Sequence, residues 1–258
     1  MRNKFYLGLA VFMVCAAMFV TKVSAADDFP LRVKFPDMKT ISTEELTKGY
    51  DSTIIVDVRS SVEFDVARIN SAKHVPISKA SFVADLEKVR GKTDAAPMAF
   101  YCNGHKCPKS YEAYGKAAEA GFTNIFVYDG GIFDWITANA DKATLMGKTP
   151  APADKIIPES ELKKRMIPLD EFKTKAANAN AMVIDIREPV QRKVIPDIPN
   201  LRNIPLDQLL GQLQKKQFAD KQLLVLDAVG KQVEWLQYHL EENGYTNYNF
   251  LANGVDGQ

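Results

Sequence analysis

The feature that most restricts the fold is an internal duplication. Val183-Ile184-Asp185-Ile186-Arg187 parallels Ile55-Val56-Asp57-Val58-Arg59, with Asp185 128 positions after Asp57. Ile167-Pro168-Leu169-Asp170-Glu171-Phe172 parallels Ile41-Ser42-Thr43-Glu44-Glu45-Leu46, and Asn203-Ile204-Pro205-Leu206 parallels His74-Val75-Pro76-Ile77. Gly244-Tyr245-Thr246-Asn247 answers Gly121-Phe122-Thr123-Asn124 at an offset of 123. The offsets drift only by loop-sized amounts, so one domain is written twice and both copies must fold on one plan. A length of 258 residues accommodates two ordinary domains.

That plan is legible in the first copy. Thr53-Ile54-Ile55-Val56, Met98-Ala99-Phe100-Tyr101 and Ile125-Phe126-Val127-Tyr128 are apolar runs of strand length, too short for helices. Between them, Thr43 to Leu46 is a helix start, Ser60 to Ile69 is polar with helical character, and His74 to Ile77 is extended. Phe82, Leu86 and Val89 share one helical face within Ser81 to Arg90. Pro30 and Pro36 argue for an extended lead-in over Asp27 to Lys39. Strands alternating with helices predict α/β domains, each a parallel sheet flanked by helices.

The chemistry concentrates in one loop. Cys102-Asn103-Gly104-His105-Lys106-Cys107-Pro108 interrupts all periodicity between the Met98 strand and a helix starting at Lys109, whose Tyr111, Tyr114 and Ala118 share a face and whose stop is Gly121. Cys102 therefore stands at the carboxyl end of a strand, where open α/β sheets bind ligands. Loop and helix N–H groups there favour an anion and lower a thiol pKa. In the second copy Leu223-Leu224-Val225-Leu226 leads instead to Asp227, with no thiol. Its loop is shorter too: Asp227 to Gly244 spans 17 positions, against 19 from Cys102 to Gly121. The second copy is expected to be catalytically silent.

At the N-terminus, Arg2 and Lys4 precede an apolar run from Phe5 to Val20, followed by the small residues Val23-Ser24-Ala25. This is the pattern of a secretory leader over residues 1–25, and an uncleaved anchor is the alternative. A leader places the protein in the periplasm or outside the cell, with no membrane contact once it is removed. Loss of Arg2, Lys4 and Lys22 changes the formal charge from +1 to −2, and no basic run remains to engage nucleic acid. The processed chain keeps only Cys102 and Cys107, too few for a disulfide scaffold. The domains are expected at 27–146 and 161–258, joined by a linker over 147–160 that contains Pro150, Pro152 and Pro158. Oligomeric state has no signature here.

A strand ending in Asp57-Val58-Arg59, a His74-Val75-Pro76 piece, a strand ending at a loop Cys102, and Asp129-Gly130-Gly131 with Trp135 together resemble the rhodaneses, most closely their tandem-domain sulfurtransferases. The resemblance covers both copies. It implies that Cys102 takes a sulfane sulfur from thiosulfate or a similar small anion, holds it as a persulfide and passes it to a thiol acceptor. It implies a cradle of backbone N–H groups over Asn103, Gly104, His105, Lys106 and Cys107, and no metal or organic cofactor. Two departures stand out. Cys107 and Pro108 precede Lys109-Ser110, where the family ordinarily runs directly from a compact loop to a basic residue and Ser. The thiol also sits in the N-terminal copy.

Individual residues carry narrower readings. Lys106 and Lys109 could bind the sulfonate end of a donor. His105 could move a proton, although a loop His with no carboxylate nearby in sequence is ordinarily plain surface. Arg59 is a candidate substrate contact, but its recurrence as Arg187 in the copy without a nucleophile favours an ion pair with Asp57. A Cys-dependent phosphatase would need Arg six positions after the Cys, where Pro108 stands. Metal binding by Cys102, His105 and Cys107 lacks a fourth ligand. The rival from a different class is a non-enzymatic or redox module held by a Cys102–Cys107 disulfide.

Overall fold

The computed structural model describes residues 28–92 and 96–258, so the expected leader lies outside the described residues. The first element among the described residues is α1 (Pro30–Lys34), a short helix in place of the extended lead-in. Pro30 occupies its first turn, where a missing N–H has no intrahelical partner to lose, and Pro36 falls beyond its end. Then come α2 (Thr43–Lys48), β1 (Ile54–Asp57), α3 (Ser61–Val66), β2 (Ala67–Ile69), β3 (Lys73–His74), α4 (Phe82–Val89), β4 (Met98–Tyr101), α5 (Lys109–Glu119), β5 (Ile125–Tyr128), α6 (Gly131–Ala138) and β6 (Ala143–Leu145). Ser42 with Glu45, and Ser60 with Glu63, close capping boxes that start α2 and α3.

The first sheet is parallel in the order β3-β1-β4-β5, and all four residues of β4 are buried. A central parallel strand is covered on both faces, which is why this run is continuously apolar. Asp57 lies opposite Tyr101, and Tyr101 opposite Tyr128. The carboxyl ends of three strands are therefore level, and the segments that follow them meet at one edge. Antiparallel β2 and β6 pair outside this sheet.

The second unit contains α7 (Glu159–Arg165), β7 (Met166–Ile167), α8 (Leu169–Ala176), β8 (Ala181–Asp185), β9 (Leu201–Asn203), α9 (Leu206–Gln214), β10 (Gln222–Leu226), α10 (Gln232–Glu242) and β11 (Tyr248–Leu251). Its sheet runs β7-β11-β10-β8-β9, again parallel. A parallel bridge between Thr40 and Val127 supplies the counterpart of β7 in the first unit. Strand order is thus duplicated along with sequence.

The two units are packed together. Trp235 and Tyr238 of α10 belong to the same buried cluster as Trp135, Tyr101 and Tyr128 of the first unit, and the Phe133 and Trp235 rings stack with centroids 5.7 Å apart. The stretch after β6 joins this packing: Ala151 is buried, and the Ile157 N–H donates to Tyr238 Oη at 3.1 Å.

Candidate active site

Cys102 follows β4 directly and is buried in the core formed with Val58, Val75 and Phe100. Its sulfur is bonded to that of Cys107, with the Cα atoms 6.2 Å apart. The loop is pinned from within and from below. The Cys107 N–H donates to the Gly104 carbonyl at 2.9 Å, and the Ile132 N–H donates to the Cys102 carbonyl at 3.1 Å. Gly131 has φ +68, and a Cβ there would collide with the backbone of Asn103 and Gly104. Only glycine lets α6 begin this close to the loop. Gly254 (φ +65) makes the same approach to Ala228 and Val229 in the second copy.

Beneath the loop, Arg59 is fully buried. Its Nε and Nη2 donate to the two oxygens of Asp57 at 2.9 and 2.6 Å, Nη2 also to the Ala67 carbonyl at 2.6 Å, and Nη1 to Asn103 Oδ1 at 3.3 Å. Burial opposes the charge of Arg59, and Asp57 more than restores it, so its pKa is raised. The structure therefore places Arg59 under the loop, fully buried and holding Asn103. Arg187 repeats the pair with Asp185, but its Nη1 has no partner, because Ala228 stands where Asn103 does. His74 and Asn203 do equivalent work. His74 Nε2 lies 3.0 Å from the Arg59 carbonyl, and Asn203 Nδ2 donates to that of Arg187 at 2.9 Å.

Glu63 is the residue that sequence reasoning missed, although Ser60-x-x-Glu63 carried the capping-box signal. Besides capping α3, it accepts from Asn103 Nδ2 at 3.0 Å and from Lys109 Nζ at 3.2 Å. Lys109 is thus committed to Glu63 instead of standing free for a donor. Burial would raise the Glu63 pKa, but Lys109, Arg59 and the hydrogen bonds from Ser60 together more than offset this and hold it low. With the folded value below the ordinary 4.5, the unfolded chain takes up the proton first as pH falls. Glu63 therefore contributes stability that is complete above its ordinary value and lost as pH falls through the folded one. Urea unfolding at a series of pH values should show wild type losing more stability on acidification than Glu63→Gln; parallel curves would contradict this.

His105 does have a carboxylate partner, contributed from α6: its Nε2 lies 2.8 Å from Asp134 Oδ2. The ring also stacks on Phe29, centroids 4.2 Å apart, and Phe29 is carried by α1, which Arg32 ties bidentately to Asp129 at 2.8 Å. Lys106 is exposed. Asn103 through Lys109 line a cleft of about 600 Å³ together with Phe133, and its far wall comes from the second unit: Glu159, Val229, Lys231 and Glu234. Its lining carries both signs of charge: Lys106, Lys109 and Lys231 with Glu63, Glu159 and Glu234. Burial raises the pKa of Glu234, which lies beside Lys231. Among the described residues no cluster of three or more His, Cys, Asp or Glu side chains is arranged to hold a metal.

In the second copy this loop position holds a carboxylate. Asp227, at the place of Cys102, accepts N–H bonds from Gly230, from Gln232 at 2.6 Å and from Val233 at 3.4 Å. A carboxylate fills the turn before α10 from inside and takes up the N–H groups that an added anion would need. Asp227→Cys combined with Cys102→Ser is expected to show no sulfur transfer, because the shorter loop leaves no room for a donor. Removing this cap should also lower stability by about 1–2 kcal/mol. Measurable transfer by the double variant would refute the account.

Together, the fold and this site define a tandem α/β protein with one cysteine loop at the head of a central parallel strand and a carboxylate in its duplicate. A family model described as the rhodanese-like domain matches residues 42–138 and 168–257, and the chain belongs to that family. Among curated relatives, it is 32% identical over 119 residues to the thiosulfate:glutathione sulfurtransferase of Saccharomyces cerevisiae, covering 43% of this chain and 81% of that protein. It is 27% identical over 125 residues to the uncharacterized protein YqhL of Bacillus subtilis, covering 48% and 90%. Among solved structures, the thiosulfate sulfurtransferase of Pseudomonas aeruginosa aligns at 18% identity with a TM-score of 0.38, over 85% of this chain and 42% of that one.

Proposed function

We propose that the protein is an exported sulfurtransferase in which Cys102 takes the sulfane sulfur of thiosulfate or a similar small anion, carries it as a persulfide and delivers it to a thiol acceptor in the cleft between the two units. The observation that carries this reading is the pairing of Cys102 with Asp227. At the duplicated backbone position, N–H groups at a helix start hold an anionic side chain. A thiolate or persulfide on Cys102, with Lys109 and Ser110 in the places of Gln232 and Val233, would meet the same field. The first step is attack of the Cys102 thiolate on the outer sulfur of thiosulfate, releasing sulfite. Lys106 at the rim supports approach of the anion. Lys106 and Lys231, set against Glu159 and Glu234, favour an acceptor bearing both charges, consistent with the similarity to a thiosulfate:glutathione sulfurtransferase. Export rests on the leader pattern.

The test is mass spectrometry of the reduced protein after thiosulfate treatment, with peptide mapping. A gain of about 32 Da, one sulfur atom, is expected on the Cys102 peptide. No adduct, or an adduct confined to Cys107, would reject the assignment.

A further inference from the structure

The two sulfurs of the loop are not equivalent. Cys102 is 1% exposed and lies in the core, whereas Cys107 is half-buried and lines the cleft. In the disulfide, Cys107 Sγ occupies the bonding position on Cys102 that the outer sulfur of a persulfide would take. Any sulfur placed on Cys102 is therefore within reach of Cys107, whose backbone is already held at 6.2 Å Cα–Cα separation, inside the ordinary span for bonded cysteines.

We propose that Cys107 is a resolving cysteine, so that the protein reduces sulfane sulfur to sulfide as well as transferring it. This rests on the Cys102 persulfide reading above. The Cys107 thiolate attacks the inner sulfur of the Cys102 persulfide. The Cys102–Cys107 bond forms, the bond to the outer sulfur breaks, and that sulfur leaves with the electron pair as hydrosulfide. Cys107 is oxidised and the outer sulfur is reduced, and both cysteines are left in the disulfide. A small or protein-borne thiol then enters from the cleft and attacks the Cys107 sulfur, which lines it. Cys102 leaves as a thiolate, because Cys107 is the sulfur that lines the cleft and is open to the entering thiol. A second thiol attacks the mixed disulfide at its external sulfur, restoring Cys107 and releasing the external disulfide. Overall, thiosulfate and two thiols yield sulfite, hydrogen sulfide and one disulfide.

The experiment is a single turnover with no thiol present. The protein is reduced, freed of reductant and given one equivalent of thiosulfate; sulfite and sulfide are measured, and Cys102 and Cys107 are mapped by alkylation and mass spectrometry. Wild type should release about one sulfide per chain and recover the Cys102–Cys107 disulfide. Cys107→Ala and Cys107→Ser should release sulfite, retain the persulfide on Cys102 and release sulfide at least about tenfold more slowly. The pair of variants separates loss of the thiol from any packing defect. Equal sulfide release by wild type and both variants, or two alkylatable thiols in wild type after the sulfur has left, would overturn the proposal while leaving the Cys102 assignment intact. Failure of the variants to load Cys102 at all would overturn both. In a separate arm, 2-mercaptoethanol in slight excess over the oxidised wild type should give a mixed disulfide mapped to Cys107; one mapped to Cys102 would contradict the stated direction of entry.

Discussion

Cys102→Ser should reduce cyanide-dependent conversion of thiosulfate to thiocyanate to the uncatalysed background, a loss of about three orders of magnitude or more, because the covalent intermediate is carried on this sulfur. The expectation is specific to this sulfur. Cys107 lies in the same loop and on the cleft side, but it does not follow β4 and lacks the buried seat that Cys102 has at the head of the central strand. Serine nearly preserves the volume at Cys102, so the fold should survive, and unchanged circular dichroism and thermal unfolding would show that it has. Residual thiocyanate formation above about one tenth of wild type would move the nucleophile to Cys107.

Asp57→Ala should destabilise the first unit by about 3–5 kcal/mol, because it strips a buried guanidinium of its counter-ion. Arg59 and Asp57 are both fully buried, and Asp57 supplies two of the acceptors that satisfy Arg59. Activity should fall too, since Arg59 reaches Asn103, and Asn103 joins Glu63 and Lys109 under the cysteine loop. Asp185→Ala should destabilise the second unit by the same mechanism, with Arg192 as well as Arg187 losing its partner. Urea unfolding measures both. A midpoint for Asp57→Ala within error of wild type would show that the buried pair is dispensable for stability.

Much of the fold follows from local features of the sequence. β4 is apolar at every position because a central parallel strand is covered on both faces, so Cys102 at its end could be located without tertiary information. The duplication, the absence of a thiol from the second copy and the shortened loop at Asp227 are likewise properties of residue order. The same holds for the Asp57–Arg59 pair, whose repetition as Asp185–Arg187 pointed to a structural role before any contact was visible. Pro30 misled because proline disfavours a helix interior and is tolerated in the first turn, and sequence alone does not say which applies.

What tertiary structure decided involves side chains brought together from distant parts of the chain. His105 meets Asp134 and Phe29 through separate elements, and Glu63 collects Asn103 and Lys109 from 40 and 46 positions away. Lys109 and Lys106 are alike as sequence, yet one is held by Glu63 and the other is exposed at the cleft. The wall contributed by Val229, Lys231 and Glu234 exists only because Trp235 and Tyr238 draw α10 into the core of the first unit. Nor does residue order reveal that Cys107 faces the cleft while Cys102 lies beneath it. Periodicity reports which face of an element is buried; how a loop folds over a site depends on contacts with no period, and those form only when distant elements pack.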